Sequence, residues 1–213
     1  KKTQREGLQA VHDLVGPWKG TGEPKGTFQE VQKGFWTEKI EWGWGFKGND
    51  AWLKADFKDG KHFKTGELRY LPDTDQYSFT VTTVKDEKLT FVGGLETRET
   101  TKYLNLDREV GKEMHRIKIQ LLHSNVFWYY YEVRPEGRPF FTYRWRVRGV
   151  TDGQSFATGT GKPECIVSGG AGTMAVSYQG KTYYVCCSGC RDEFNANPLQ
   201  YIREYEAKQA KKK

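Results

Sequence analysis

Apolar and polar residues alternate through most of the first 150 positions. Ile40, Trp42, Trp44 and Phe46 fall on one side of a two-residue repeat. Tyr77, Phe79, Val81 and Thr83 do the same, and Phe141, Tyr143, Trp145 and Val147 alternate with Thr142, Arg144, Arg146 and Arg148. This period predicts strands with one buried and one wet face. Turn chemistry recurs between them, as in Lys58-Asp59-Gly60, Pro72-Asp73-Thr74-Asp75, Gly93-Gly94 and Pro135-Glu136-Gly137. A short helical start is expected around Glu6 to Leu14, followed by about nine or ten strands joined in chain order, which suggests a closed antiparallel meander barrel. A curved sandwich with open edges is the alternative.

The pattern changes after position 162. Tyr183 and Val185 read as a strand running into Cys186, and Ser188 can cap a short helix through Phe194. Asn197 with Pro198 starts a second helix whose apolar face is Leu199, Ile202 and Tyr205. Composition divides at the same place. All seven tryptophans lie between Trp18 and Trp145, and all four cysteines lie at or after Cys165. The expected organisation is a barrel over 1–152, a linker over 153–162, a small α+β unit over 163–206 and a basic tail over 207–213, giving a mainly β chain.

The formal charge is +7, and Lys208 and Lys211 to Lys213 concentrate part of it at the end. The tail lacks the length and interleaved aromatics of a nucleic-acid arm, so no nucleic-acid partner is expected. No run of apolar residues is long enough for a transmembrane helix. The Lys1-Lys2 opening without Met is what a mature chain freed of a secretory signal would show, and an extracytoplasmic location is the expectation.

The cysteines carry the chemistry. Cys186 and Cys190 form a Cys-x3-Cys turn at the entry to a helix, and twenty residues separate Cys165 from Cys186. Thiolates bind a soft cation when several converge, and this spacing allows convergence. Cys190 falls in a first helical turn, where free N–H groups favour a thiolate. No histidine follows His123, so completing a four-ligand site would need Cys187, a carboxylate such as Glu164 or Asp192, a barrel histidine, or water. Three thiolates alone suit trigonal Cu(I) or an open site. A disulfide from Cys165 to the turn is the competing possibility. A bridge between adjacent Cys186 and Cys187 is not, because α-carbons about 3.8 Å apart are closer than a disulfide usually allows.

The surrounding residues sharpen this. Pro163-Glu164-Cys165, then Tyr178-Gln179-Gly180-Lys181-Thr182-Tyr183-Tyr184-Val185-Cys186-Cys187-Ser188-Gly189-Cys190, Phe194 and Asn197-Pro198 resemble the YHS/TRASH family of small metal-binding domains. The resemblance implies a treble-clef-like unit that handles copper or zinc, with Cys165, Cys186 and Cys190 as ligands and Cys187 as a candidate fourth. At the other end, Leu14-Val15-Gly16-Pro17-Trp18-Lys19-Gly20-Thr21-Gly22 resembles the opening of lipocalin-like and nitrobindin-like barrels. That likeness implies a helical plug with Trp18 packed across it.

A barrel of this size can enclose a small apolar ligand. His115, Ile117, Ile119, Leu121 and His123 share an apolar face if no bulge intervenes. His115 and His123 would stand roughly 27 Å apart at a strand rise of about 3.4 Å per residue, so one metal cannot take both. Either could be an axial haem ligand in the nitrobindin manner, although a hydrogen-bonded rim histidine is the plainer expectation. Trp42, Trp44 and Tyr143 are candidates to line a ligand pocket, with core packing as their ordinary role. No Gly-x-Ser-x-Gly, P-loop or dinucleotide fingerprint occurs, and Cys187-x-x-Cys190 lacks the βαβ context of a thiol oxidoreductase. The expectation is a non-enzymatic metal-binding protein.

Overall fold

The computed structural model describes residues 1–123, 125–151 and 163–210, with the side chain of His123 outside that set. The expected linker over 153–162 and the last three lysines therefore lie outside the described residues. The first strands are β1 (Gly16–Pro24), β2 (Trp36–Lys47), β3 (Asp50–Lys58), β4 (Phe63–Leu71) and β5 (Gln76–Thr83). They are followed by β6 (Lys88–Arg98), β7 (Thr101–Val110), β8 (Glu113–His123), β9 (Val126–Arg134) and β10 (Thr142–Thr151). Each pairs antiparallel with its chain neighbour, and β1 closes on β10 from Trp18↔Thr151 to Pro24↔Trp145. Closure removes the open edges that a sandwich would leave.

One end of the barrel is plugged by α1 (Gln4–Gln9) and a 3₁₀ turn, His12–Leu14. A Thr3–Glu6 capping box starts the helix, and Leu8, Val11 and Leu14 are fully buried. Tyr77 Oη donates to the Gly7 carbonyl at 2.8 Å and Trp18 Nε1 to the Leu14 carbonyl at 2.7 Å, so the plug is tied to the strands it covers. Between β1 and β2, at the opposite end, lies a second helix, α2 (Phe28–Gly34), which the alternation pattern did not announce. It buries no residue and so leaves no apolar stripe to find. Its Thr27–Glu30 capping box was the available signal.

The interior is filled rather than hollow. Trp42 stacks on Phe79 with 5.7 Å between ring centroids, and Trp18 meets Phe127 edge-on at 4.8 Å. The space left among Trp42, Phe57, Phe79, Ile117, Phe127 and Tyr129 is about 10 Å³, at the lower limit for a single water. Haem and drug-sized ligands need about 300–1,000 Å³, far more than this space offers. Trp42 is a core residue. One carboxyl group lies within this apolar set. Glu38 accepts from Trp36 Nε1 at 2.9 Å and from Tyr129 Oη, and burial pushes its pKa up against those hydrogen bonds.

Two bulges revise the faces read from the alternation. Register shifts between Tyr143 and Trp145, so that Tyr143 sits opposite Glu132 while Trp145 sits opposite Tyr131. Trp145 points inward. Tyr143 turns outward against Arg146, whose guanidinium is 5.3 Å from its ring centre, and so it lines no interior pocket. A second shift lies between Leu121 and His123 on β8, so the repeat that starts at His115 holds through Leu121.

The C-terminal unit is a hairpin, β11 (Met174–Tyr178) and β12 (Lys181–Val185), followed by α3 (Ser188–Ala196) and α4 (Pro198–Ala210). Cys187, rather than Ser188, takes the N-cap place of α3. Helix α4 continues through Ala210, so the segment expected as a basic tail from 207 starts as helix, with Lys208 paired to Glu164. The unit packs on the barrel through α3 against β2. A Cβ on Gly189 would lie 1.8 Å from the Trp44 carbonyl oxygen, so only glycine permits this approach. Arg5 in α1 meets Glu204 in α4 at 3.0 Å, a second tether.

Gly189→Ala is expected to push α3 off β2, at about 1–3 kcal/mol by analogy with overpacked cores, and to lower the melting temperature. Gly94→Ala, with no atom within 4 Å of the added methyl, serves as the control and leaves the melting temperature nearly unchanged. Equal melting by the two variants would contradict the docked arrangement.

Candidate metal centre

Four backbone hydrogen bonds place Cys165. Its N–H donates to the Gly170 carbonyl at 2.6 Å, and its own carbonyl accepts from Gly169 N–H at 2.8 Å. Ile166 N–H reaches the Tyr184 carbonyl at 2.8 Å, and Gly172 N–H reaches that of Pro163 at 2.6 Å, which fastens this loop to β12. Cys186 is the residue after β12, and Cys190 lies in the first turn of α3. A loop, a strand end and a helix start thus converge on one point.

The Sγ atoms of Cys165, Cys186 and Cys190 all lie within 4.8 Å of one another, and Cys186 and Cys190 are 3.5 Å apart. Three sulfurs at the Zn–S distance of about 2.3 Å from one ion would be separated by about 3.8 Å, so the spacing matches a shared cation closely. All four cysteines are free thiols, and Cys165 and Cys190 are essentially inaccessible. Cys187 stands at the edge of the cluster, its Sγ 3.8 Å from that of Cys186. The same sulfur accepts the backbone N–H of Trp44 at 3.4 Å, which links it to the barrel.

The polar surroundings favour anionic sulfur. Ser168 N–H points at Cys165 Sγ and Ser168 Oγ lies against Cys186 Sγ, each at 3.4 Å. Hydrogen bonds from Cys186 and then Cys190 hold the Cys165 and Cys187 thiols well below the ordinary range. The same sharing pushes Cys186 up, chiefly through its bond to Cys165, and burial pushes Cys190 up. The four thiols lie close enough that each one's ionisation depends on the others. A soft cation would replace their protons and relieve the crowding of charge.

His12, in the 3₁₀ turn of the plug, is the neighbour that spacing could not single out. Its Nδ1 accepts the indole N–H of Trp44 at 3.3 Å. Burial lowers its pKa, while the nearby Cys165, Asp13 and Cys187 charges oppose that shift. Its Nε2 lies against Gly170, where a Cβ would come within 1.5 Å. A barrel histidine was one way to complete the site, and His12 is the one placed beside it, next to the three-sulfur group rather than within it. Trp44 belongs here as well. Its ring stacks with His12 and with Phe46, and its backbone N–H donates to Cys187 Sγ.

The remaining candidates are elsewhere. Glu164 is paired with Lys208, and Asp192 is exposed and paired with Arg191 at 3.0 Å. His115 lies at the open end of the barrel, its Nδ1 2.5 Å from Tyr131 Oη, which is the hydrogen-bonded rim position. The His123 side chain is outside the described residues.

Gly170→Ala is expected to displace the His12 ring. Loss of the imidazole acceptor should shift the Trp44 indole N–H resonance upfield and speed alkylation of the cysteines. An unmoved indole resonance would show that His12 is not held as described.

Residues 171–205 match the family model of the YHS domain, a stretch that contains Cys186, Cys187 and Cys190 and begins after Cys165. No curated protein matches the chain. Among solved structures, the crystal structure of Rv2717c from M. tuberculosis is similar at a TM-score of 0.44 and 16% identity, over 68% of this chain and 96% of that one. Nothing is transferred from a likeness at that level. The chain thus joins a YHS-domain motif, with a cysteine cluster capable of holding a metal ion, to a closed antiparallel β-barrel.

Proposed function

We propose that this protein is a non-enzymatic binder of a soft metal ion, with Cys165, Cys186 and Cys190 as ligands and Cu(I) or Zn(II) as cargo. The observation that carries the reading is the convergence of three sulfurs, from three separate elements, within 4.8 Å. Thiolate-rich sites without imidazole select soft cations, and trigonal Cu(I) is satisfied by three sulfurs. Tetrahedral Zn(II) would need a fourth donor, which Cys187 can supply, since its sulfur keeps lone pairs beyond the one that accepts Trp44 N–H. The burial of Cys165 and Cys190 suits retention of an ion, as in binding, sensing or delivery.

Cys187 therefore distinguishes the two metals. In titrations with Cu(I) or Zn(II) against a chromogenic chelator, Cys165→Ser is expected to weaken either ion by more than the 10–100-fold that loss of an outer-shell partner costs. Cys187→Ser should leave Cu(I) binding within a few-fold of wild type and weaken Zn(II) as much as Cys165→Ser does. Unchanged affinity and stoichiometry in Cys165→Ser for both ions would overturn the assignment.

A further inference from the structure

At the end of the barrel away from the plug, the inward positions of β7, β8 and β9 become polar. Arg108 and His115 are cross-strand partners in the β7–β8 ladder. Arg108 follows the buried Leu104 and Leu106 on one strand, and His115 precedes the buried Ile117 and Ile119 on the other, so the alternation directs both inward. Tyr131 Oη is 2.5 Å from His115 Nδ1, and the Tyr131 ring lies parallel to Trp145 at 5.3 Å.

Two atoms of this group have unmet bonding capacity. Arg108 Nε and His115 Nε2 are buried and have no hydrogen-bond partner among the described residues. An unsatisfied buried donor costs about 1–3 kcal/mol, so a pair on adjacent strands calls for a shared acceptor. The Glu113 carboxylate 3.4 Å from Nε2 favours the tautomer with its proton there; Nδ1 then accepts from Tyr131 Oη, and both free groups are donors. Glu113 is the competitor. Its carboxylate comes within 3.4 Å of His115 Nε2, but the side chain is 46% exposed and can turn to solvent. Glu113 also lines a surface cleft of about 290 Å³, together with Glu109, Lys112, Arg134 and Arg138.

We propose that this rim binds a small organic monocarboxylate, accepted jointly by Arg108 Nε and His115 Nε2 with Tyr131 Oη donating to Nδ1. A planar carboxylate offers two oxygens to two donors and forms charge-assisted bonds with guanidinium. The ligand takes the place that the Glu113 carboxylate half occupies, so the site is a rim subsite and not an enclosed cargo chamber. It is independent of the cysteine cluster, which lies at the plugged end.

The test is titration of the full chain, at constant metal content, with sodium benzoate and with benzamide as the uncharged analogue, followed by the His115 ring resonances in NMR. Saturable shifts with benzoate and none with benzamide are expected. Arg108→Gln should weaken benzoate at least tenfold, whereas Glu113→Gln should tighten it by removing the internal competitor. Equal responses to benzoate and benzamide would overturn the proposal, as would undiminished binding by a folded Arg108→Gln or weaker binding by Glu113→Gln. If Arg108→Gln fails to fold, the benzoate–benzamide comparison and the sign of the Glu113→Gln effect decide alone.

Discussion

The close approach of α3 to the backbone of β2 is the contact on which the rest of the molecule depends. At Trp44 a single residue serves two structures. Its indole is buried in the plugged end of the barrel beside His12, its N–H reaches the sulfur of Cys187, and its carbonyl is covered by Gly189. The cysteine cluster is consequently formed against a rigid sheet rather than on a hairpin standing free. A small unit with few core residues of its own gains most from such support, because its apolar face would otherwise lie in water.

That contact also explains why the sulfurs can be buried without a disulfide. Phe194 and Cys190 are both covered, and the backbone N–H of Cys190 reaches the Cys187 sulfur. Charge on the thiolates is spread by Ser168, by the Trp44 N–H and by the protonated neighbours. An arrangement stabilised by sharing protons is poised to exchange them for a cation, which couples metal binding to the packing of the unit on the barrel.

Local signals in the chain were readable and long-range ones were not. Period-two runs such as Ile40 to Phe46 announce strands because neighbouring residues alone set that pattern, and the Cys-x3-Cys turn announces convergence because one helix start brings its sulfurs together. The outward turn of Tyr143 and the offset at His123 come from single inserted residues, which a periodic reading passes over. Whether the barrel is hollow depends on how Trp42 and Phe79 stack across it, a matter of packing and not of sequence period. His12 could not be tied to Cys165 by any spacing. Only the folding of the plug beneath the docked unit brings them near each other.

The central claim is that one ion is held by sulfur from Cys165, Cys186 and Cys190, and X-ray absorption on the metal-loaded protein addresses it directly. The account predicts a first shell dominated by sulfur at about 2.3 Å, with three scatterers for Cu(I), losing one in Cys165→Ser. A first shell of nitrogen and oxygen, or a sulfur count unchanged in Cys165→Ser, would contradict it.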